Sequence, residues 1–151
     1  MRRRAGFTLI EMVVVILIGS ILVGVALQSF QNVQAAMAAR SATHMYATLH
    51  QRARARAIEM GQTVLFFVDS AGDSAYIFSD GVVSDVTRFR SELNVDLRST
   101  PTSFFMCMTP RGYASPGCLG VGLSTPTKLE FWLNADSSSV TILPMGQLVG
   151  L

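Results

Sequence analysis

The chain has 151 residues, 50% of them hydrophobic and 15% charged, and its 12 Lys and Arg against 10 Asp and Glu give a formal net charge of +2. Three of the positive charges are Arg2, Arg3 and Arg4, so without residues 1–6 the balance becomes 9 against 10, or −1. That excludes a strongly basic nucleic-acid module, and with the apolar N-terminal run set aside the remainder suits one small domain with one core.

The basic leader MRRRAG, residues 1–6, precedes FTLIEMVVVILIGSILVGVAL, Phe7 to Leu27, in which Glu11 is the single charge. As a helix this run is long enough to cross about 30 Å of hydrocarbon. An acid inside such a segment costs about 2.5–3.5 kcal/mol on insertion scales, so Glu11 needs a partner or a role. A secretory signal peptide has a shorter apolar middle that ends at a small-residue cleavage site. A plain anchor explains the length and leaves the acid unexplained. Arg2, Arg3 and Arg4 favour a cytoplasmic N-terminus and an external C-terminus.

Gly6-Phe7-Thr8-Leu9-Ile10-Glu11 resembles the processing motif of type IV prepilins and type II secretion pseudopilins. The resemblance implies that prepilin peptidase cuts between Gly6 and Phe7 and that the new N-terminus at Phe7 is methylated. It also implies that Glu11 meets the N-terminal amine of a neighbouring subunit and so sets filament register. Physically, an ammonium and a carboxylate in a low-dielectric layer offset one another's desolvation. The alternative for Glu11 is an acid tolerated at a helix start, where the macrodipole favours negative charge.

No Pro or Gly interrupts Gln28 to Met60, and good helix formers dominate it, so the membrane helix is expected to continue through residues 28–61. Ala42, Met45, Tyr46, Leu49, Ala53, Ala57 and Met60 recur at three- and four-residue steps and mark the face turned toward a globular partner. Gly61 is the natural stop. Arg52 and Arg56 flank one side of this stripe and Arg54 lies roughly opposite, which reads as a solvated rim rather than one basic patch. His44 and His50 read as ordinary helix residues.

Beyond Gly61 the periodicity changes to short β-branched and aromatic runs. Thr63 to Val68 and Ala75 to Phe78 flank a turn-rich connection and predict an antiparallel hairpin. Further strands are expected at Val82 to Phe89, Ser103 to Met108, Lys128 to Leu133 and Ser139 to Leu143, the last two joined through Asn134 to Ser138. The resulting fold class is α+β: a long N-terminal helix covered by an antiparallel sheet over residues 62–151, the pilin-like arrangement.

Ala53-Arg54, Ala57-Ile58 and Gly61-Gln62-Thr63-Val64 resemble the "AR..AI..GQ.V" pattern of the GspH/FimT group, the H-type minor pseudopilins and related minor pilins. Pro110-Arg111-Gly112-Tyr113-Ala114-Ser115-Pro116-Gly117 is similar to that group's "RG.aspG" loop. Two departures matter. Gln28 stands where many pilin-like helices carry proline, which removes the covalent cause of a kink. The tail Met145 to Leu151 has Gly146 but none of the arginines that DNA-binding members use.

Cys107 and Cys118, the only cysteines, lie beyond the membrane in this topology. They are expected to form a disulfide closing CMTPRGYASPGC, the alternative being two free thiols. No catalytic constellation, metal site or cofactor motif appears, so an enzyme is not expected. Asp69, Asp73, Asp80 and Asp85 match no calcium-loop spacing and read as turn residues. The functional expectation is a minor pseudopilin at the tip of a type II secretion pseudopilus. Its partners are other pilin subunits, prepilin peptidase, the inner membrane and secreted cargo, with its C-terminus in the periplasm. The alternative is a DNA-binding or assembly-initiating minor pilin of a type IV pilus or competence system, with Arg88, Arg90, Arg98 and Arg111 as phosphate contacts.

Overall fold

The computed structural model describes residues 8–115, 123 and 125–150. Helix α1 (Leu9–Met60) is followed by β1 (Val64–Asp69), β2 (Ser74–Ser79), β3 (Val82–Arg88), α2 (Phe89–Leu93), β4 (Asp96–Ser99), β5 (Ser103–Met108), β6 (Ala114–Ser115), β7 (Thr127–Leu133), β8 (Asp136–Ile142) and β9 (Leu148–Val149). The fold is therefore α+β, a long N-terminal helix followed by antiparallel sheets. The chain divides into two units, Met1–Gln34 and Ala35–Leu151.

In the first unit the helical hydrogen bonding continues through Gln28, as a residue that keeps its N–H and lacks a ring permits. Its apolar side chains point outward: Leu9 is 83% exposed and Ile16 71%.

The second unit begins within α1 and buries one helical stripe, Ala35, Ala39, Ala42, Tyr46, Leu49, Ala53 and Ala57. Alanine at most of these steps lets strand side chains approach the helix backbone closely. Met45 and Met60, expected on this stripe, are only half-buried, whereas Thr43 and His50 are buried. Thr43 tolerates burial because its hydroxyl donates to the Ala39 carbonyl at 3.1 Å and is hydrogen-bonded to Ser138 Oγ at 2.9 Å. Gly61, at φ +64°, ends the helix with its N–H on the Ile58 carbonyl.

The strands form two sheets rather than one, ordered β3-β2-β1-β5-β6 and β4-β7-β8-β9. Inward-facing Val64, Phe66 and Val68 of β1 and Leu129 and Phe131 of β7 share the core. Tyr46 of α1 joins the two sheets, its ring 5.6 Å from that of Phe66 and 6.0 Å from that of Phe131. The β1–β2 hairpin and the strands expected near β3, β5 and β7 are present. Strand β8 starts at Asp136, earlier than expected, because Asn134 at φ +56° turns the chain within Asn134-Ala135. Helix α2 and β4 lie in a stretch without clear periodicity and are held by burial. Phe89 is fully buried with its ring edge-on to Phe131 at 5.1 Å, and Val95 and Leu97 are also buried.

Candidate functional site

The N-terminal segment is built for apolar contact along its whole outer surface. Thr8 caps α1: its Oγ1 accepts the Glu11 N–H and its carbonyl accepts the Met12 N–H, both at 3.3 Å. Thr8-Leu9-Ile10-Glu11 thus has capping-box spacing, a role for Thr8 that was legible in the sequence and missed. The Glu11 carboxylate is exposed and makes no ion pair among the described residues. Ser20 satisfies its hydroxyl on the Leu17 carbonyl at 2.8 Å, so it needs no outside partner. Gly6 and Phe7, the cleavage and methylation positions, lie outside the described residues.

The four arginines considered for phosphate contact fall into different surroundings. Arg90, in α2, donates to Asp73 Oδ2 at 2.9 Å and to Asp96 Oδ1. Arg98 on β4 lies 5.0 Å over the Trp132 ring and opposite Glu130, which also binds Lys128 and the Trp132 Nε1–H. Hydrogen bonds from Lys128 and then Trp132 hold the Glu130 carboxyl below its usual range. Arg88 ends β3 and is exposed. Arg111 is exposed in the loop after β5, beside Gly112, where a Cβ would stand 3.2 Å from Ile58 Cδ1 of α1. Among the helix arginines, Arg52 and Arg56 reach Asp85 at 3.8 and 3.5 Å, and Arg54 reaches the Gly146 carbonyl at 3.4 Å.

Asp73, Asp80 and Asp85 all sit at positive φ, 46°, 52° and 48°, as turn and bulge residues do. Asp73 does more than turn the chain. Its Oδ1 accepts the Leu97 N–H at 2.7 Å and its carbonyl accepts the Phe89 N–H at 2.8 Å, tying the β1–β2 hairpin to α2 and β4. Cys107 is buried on β5 and is not a free thiol; Cys118 lies outside the described residues.

His50 is not the ordinary helix residue expected. It is fully buried, its ring 6.3 Å from Tyr46 and 5.7 Å from Phe66, and neither ring nitrogen has a hydrogen-bond partner among the described residues. Burial, and secondarily the positive charge of Arg54, lower its pKa to about 4. Burial likewise raises the Tyr46 hydroxyl. His44, six residues earlier, is exposed.

Residues 1–27 match the family model of the prokaryotic N-terminal methylation motif, the signal of type IV pilin-like proteins. The match spans the leader and the apolar run and stops before the unit that starts at Ala35. No curated protein and no solved structure matches the chain. The motif implies processing by prepilin peptidase and assembly with other pilin subunits, and the apolar helix fits the single membrane anchor of such proteins.

Proposed function

We propose that the chain is a minor pseudopilin, cut after Gly6, methylated at Phe7 and stored in the inner membrane with its C-terminal unit in the periplasm. It is then incorporated at or near the tip of a type II secretion pseudopilus. The observation that carries this reading is the exposed apolar first unit of α1, with one carboxylate, Glu11, that makes no ion pair among the described residues, under a methylation motif. A helix that is apolar all round has to be covered by lipid or by other helices, and Glu11 is costly in either setting until a cation meets it. The amine exposed by cleavage is the cation nearest in sequence. Under this reading the chain performs no catalytic step and holds no cofactor.

The DNA-binding alternative has less support, because Arg90 and Arg98 are already engaged by carboxylates and an aromatic ring of the same unit. Glu11→Ala is expected to insert into the membrane and be cut normally, yet to be missing from purified filaments. Normal incorporation of that variant would refute the role given to Glu11. For DNA, a gel-shift titration of the full chain in detergent against salt is expected to show no complex at low ionic strength.

A further inference from the structure

The outer face of the five-stranded sheet, opposite the core, is unusual for an open antiparallel face, which is ordinarily polar. Strand register sets Phe105 and Tyr76 on either side of Phe67. The Phe67 and Tyr76 rings stack at 5.1 Å with 11° between planes, and Phe105 lies 5.4 Å from Phe67. One row further along, about 7 Å away, the same register places Ser103 and Ser74 beside Asp69. A cleft of about 660 Å³ opens at this end of the sheet; besides the aromatic row, Asp69 and Ser103 it is lined by Pro101 and Thr125 and, toward the core, by Val68, Phe104, Leu123 and Thr127.

Charge decides what fits. Asp73, Asp85, Asp96 and Glu130 each pair with a cation of this chain, whereas Asp69 pairs with none among the described residues. Its Oδ1 accepts the Ala71 N–H at 3.1 Å and its Oδ2 lies beside Gly72, 2.9 Å from where a Cβ on that residue would stand, so the carboxylate is held by its own turn while lining the cleft. No Lys or Arg lines the cleft among the described residues, so a phosphate or carboxylate ligand would meet only the field of Asp69. Aromatic faces attract cations. A guanidinium also stacks flat on such rings while its fork of N–H groups reaches a carboxylate and neighbouring hydroxyl oxygens.

We infer that this cleft receives an arginine side chain presented by another protein chain, its guanidinium on the Phe67–Tyr76–Phe105 row and its N–H groups on Asp69. This goes beyond filament assembly and does not depend on it.

The test is an NMR titration of the full chain in detergent with N-acetyl-arginine amide. Saturable binding is expected, with a Kd on the order of millimolar, that shifts the ring signals of Tyr76 and Phe105. The citrulline counterpart has nearly the same shape without the charge and is expected to bind about tenfold or more weakly. Asp69→Asn keeps an oxygen for the Ala71 N–H, so the turn survives, and is expected to lose the preference for arginine. Phe105→Leu weakens binding from the aromatic side. Equal binding of the two probes, no saturation with either, or an Asp69→Asn chain that still prefers arginine would overturn the inference. Glu11→Ala, which disables assembly under the filament reading, is expected to leave this binding unchanged, so the two readings fail separately.

Discussion

Replacing His50 with Leu is expected to remove a large part of the acid sensitivity of the second unit. In the native fold the imidazole is neutral, wedged between Tyr46 and Phe66 with both nitrogens unsatisfied among the described residues, and its pKa is about 4 against 6.5 in the unfolded chain. A base with a depressed folded pKa contributes no penalty above the unfolded value. Stability then falls as pH drops from 6.5 toward 4 and levels off below that, because only the unfolded chain takes up the proton in this window. At about 1.4 kcal/mol per pH unit the gap amounts to about 3 kcal/mol. The interval from pH 6.5 to 5 isolates the effect, since carboxylates titrate mainly below it. Urea unfolding of the detergent-solubilised full chain, followed by near-UV circular dichroism at stepped pH, measures it. Parent and His44→Ala chains are expected to lose stability in that interval, and His50→Leu to stay nearly flat. Because His50 makes no hydrogen bond among the described residues, the Leu variant should lose no more than about 1 kcal/mol of stability at pH 7. Equal slopes for parent and His50→Leu would refute the account.

Three further substitutions, two of them set against a control substitution, probe the packing by the same unfolding assay. Gly146→Ala forces a side chain onto a residue at φ +75° and sets its Cβ 2.7 Å from that of Ala114, so a loss of about 1–3 kcal/mol is expected. Asp73→Ala orphans the buried Leu97 N–H and leaves Arg90 with Asp96 as its one carboxylate among the described residues, at a cost of about 2–3 kcal/mol; Asp80→Ala, at another positive-φ turn without such bonds among the described residues, should cost less. Ala53→Leu overfills a fully buried position on α1 and is expected to cost about 1–3 kcal/mol, whereas exposed Ala55→Leu should change stability by less than about 0.5 kcal/mol.

Local chemistry was legible wherever it repeats along the chain. The apolar run, the helix that continues past Gln28 to Gly61 and the strands with β-branched alternation all follow from periodicity and propensity. The methylation motif could be read without coordinates because a peptidase reads the same short stretch. What could not be read has non-local causes. The burial of His50 was legible in its spacing, four residues after Tyr46 and three before Ala53 on the inward stripe, where His44 does not fall, but its lack of a polar partner there depends on what β1 presents to it. Helix α2 has no side-chain N-cap and stands because Phe89 and Leu93 pack on the core. The division into two sheets depends on where β4 and β7 pair, a register no local pattern encodes. Aspartates that looked alike as turn residues also separated: Asp73 and Asp85 are claimed by arginines brought from elsewhere, and Asp69, without a cation among the described residues, stands one row along from the Phe67–Tyr76–Phe105 row on the same sheet face. Sequence therefore determined the anchor, its signal and most element types, since these depend on neighbours within a few residues. Tertiary structure alone decided which buried polar groups are satisfied, which charges are neutralised and which remain open to a partner, because pairing is settled between segments far apart in the chain.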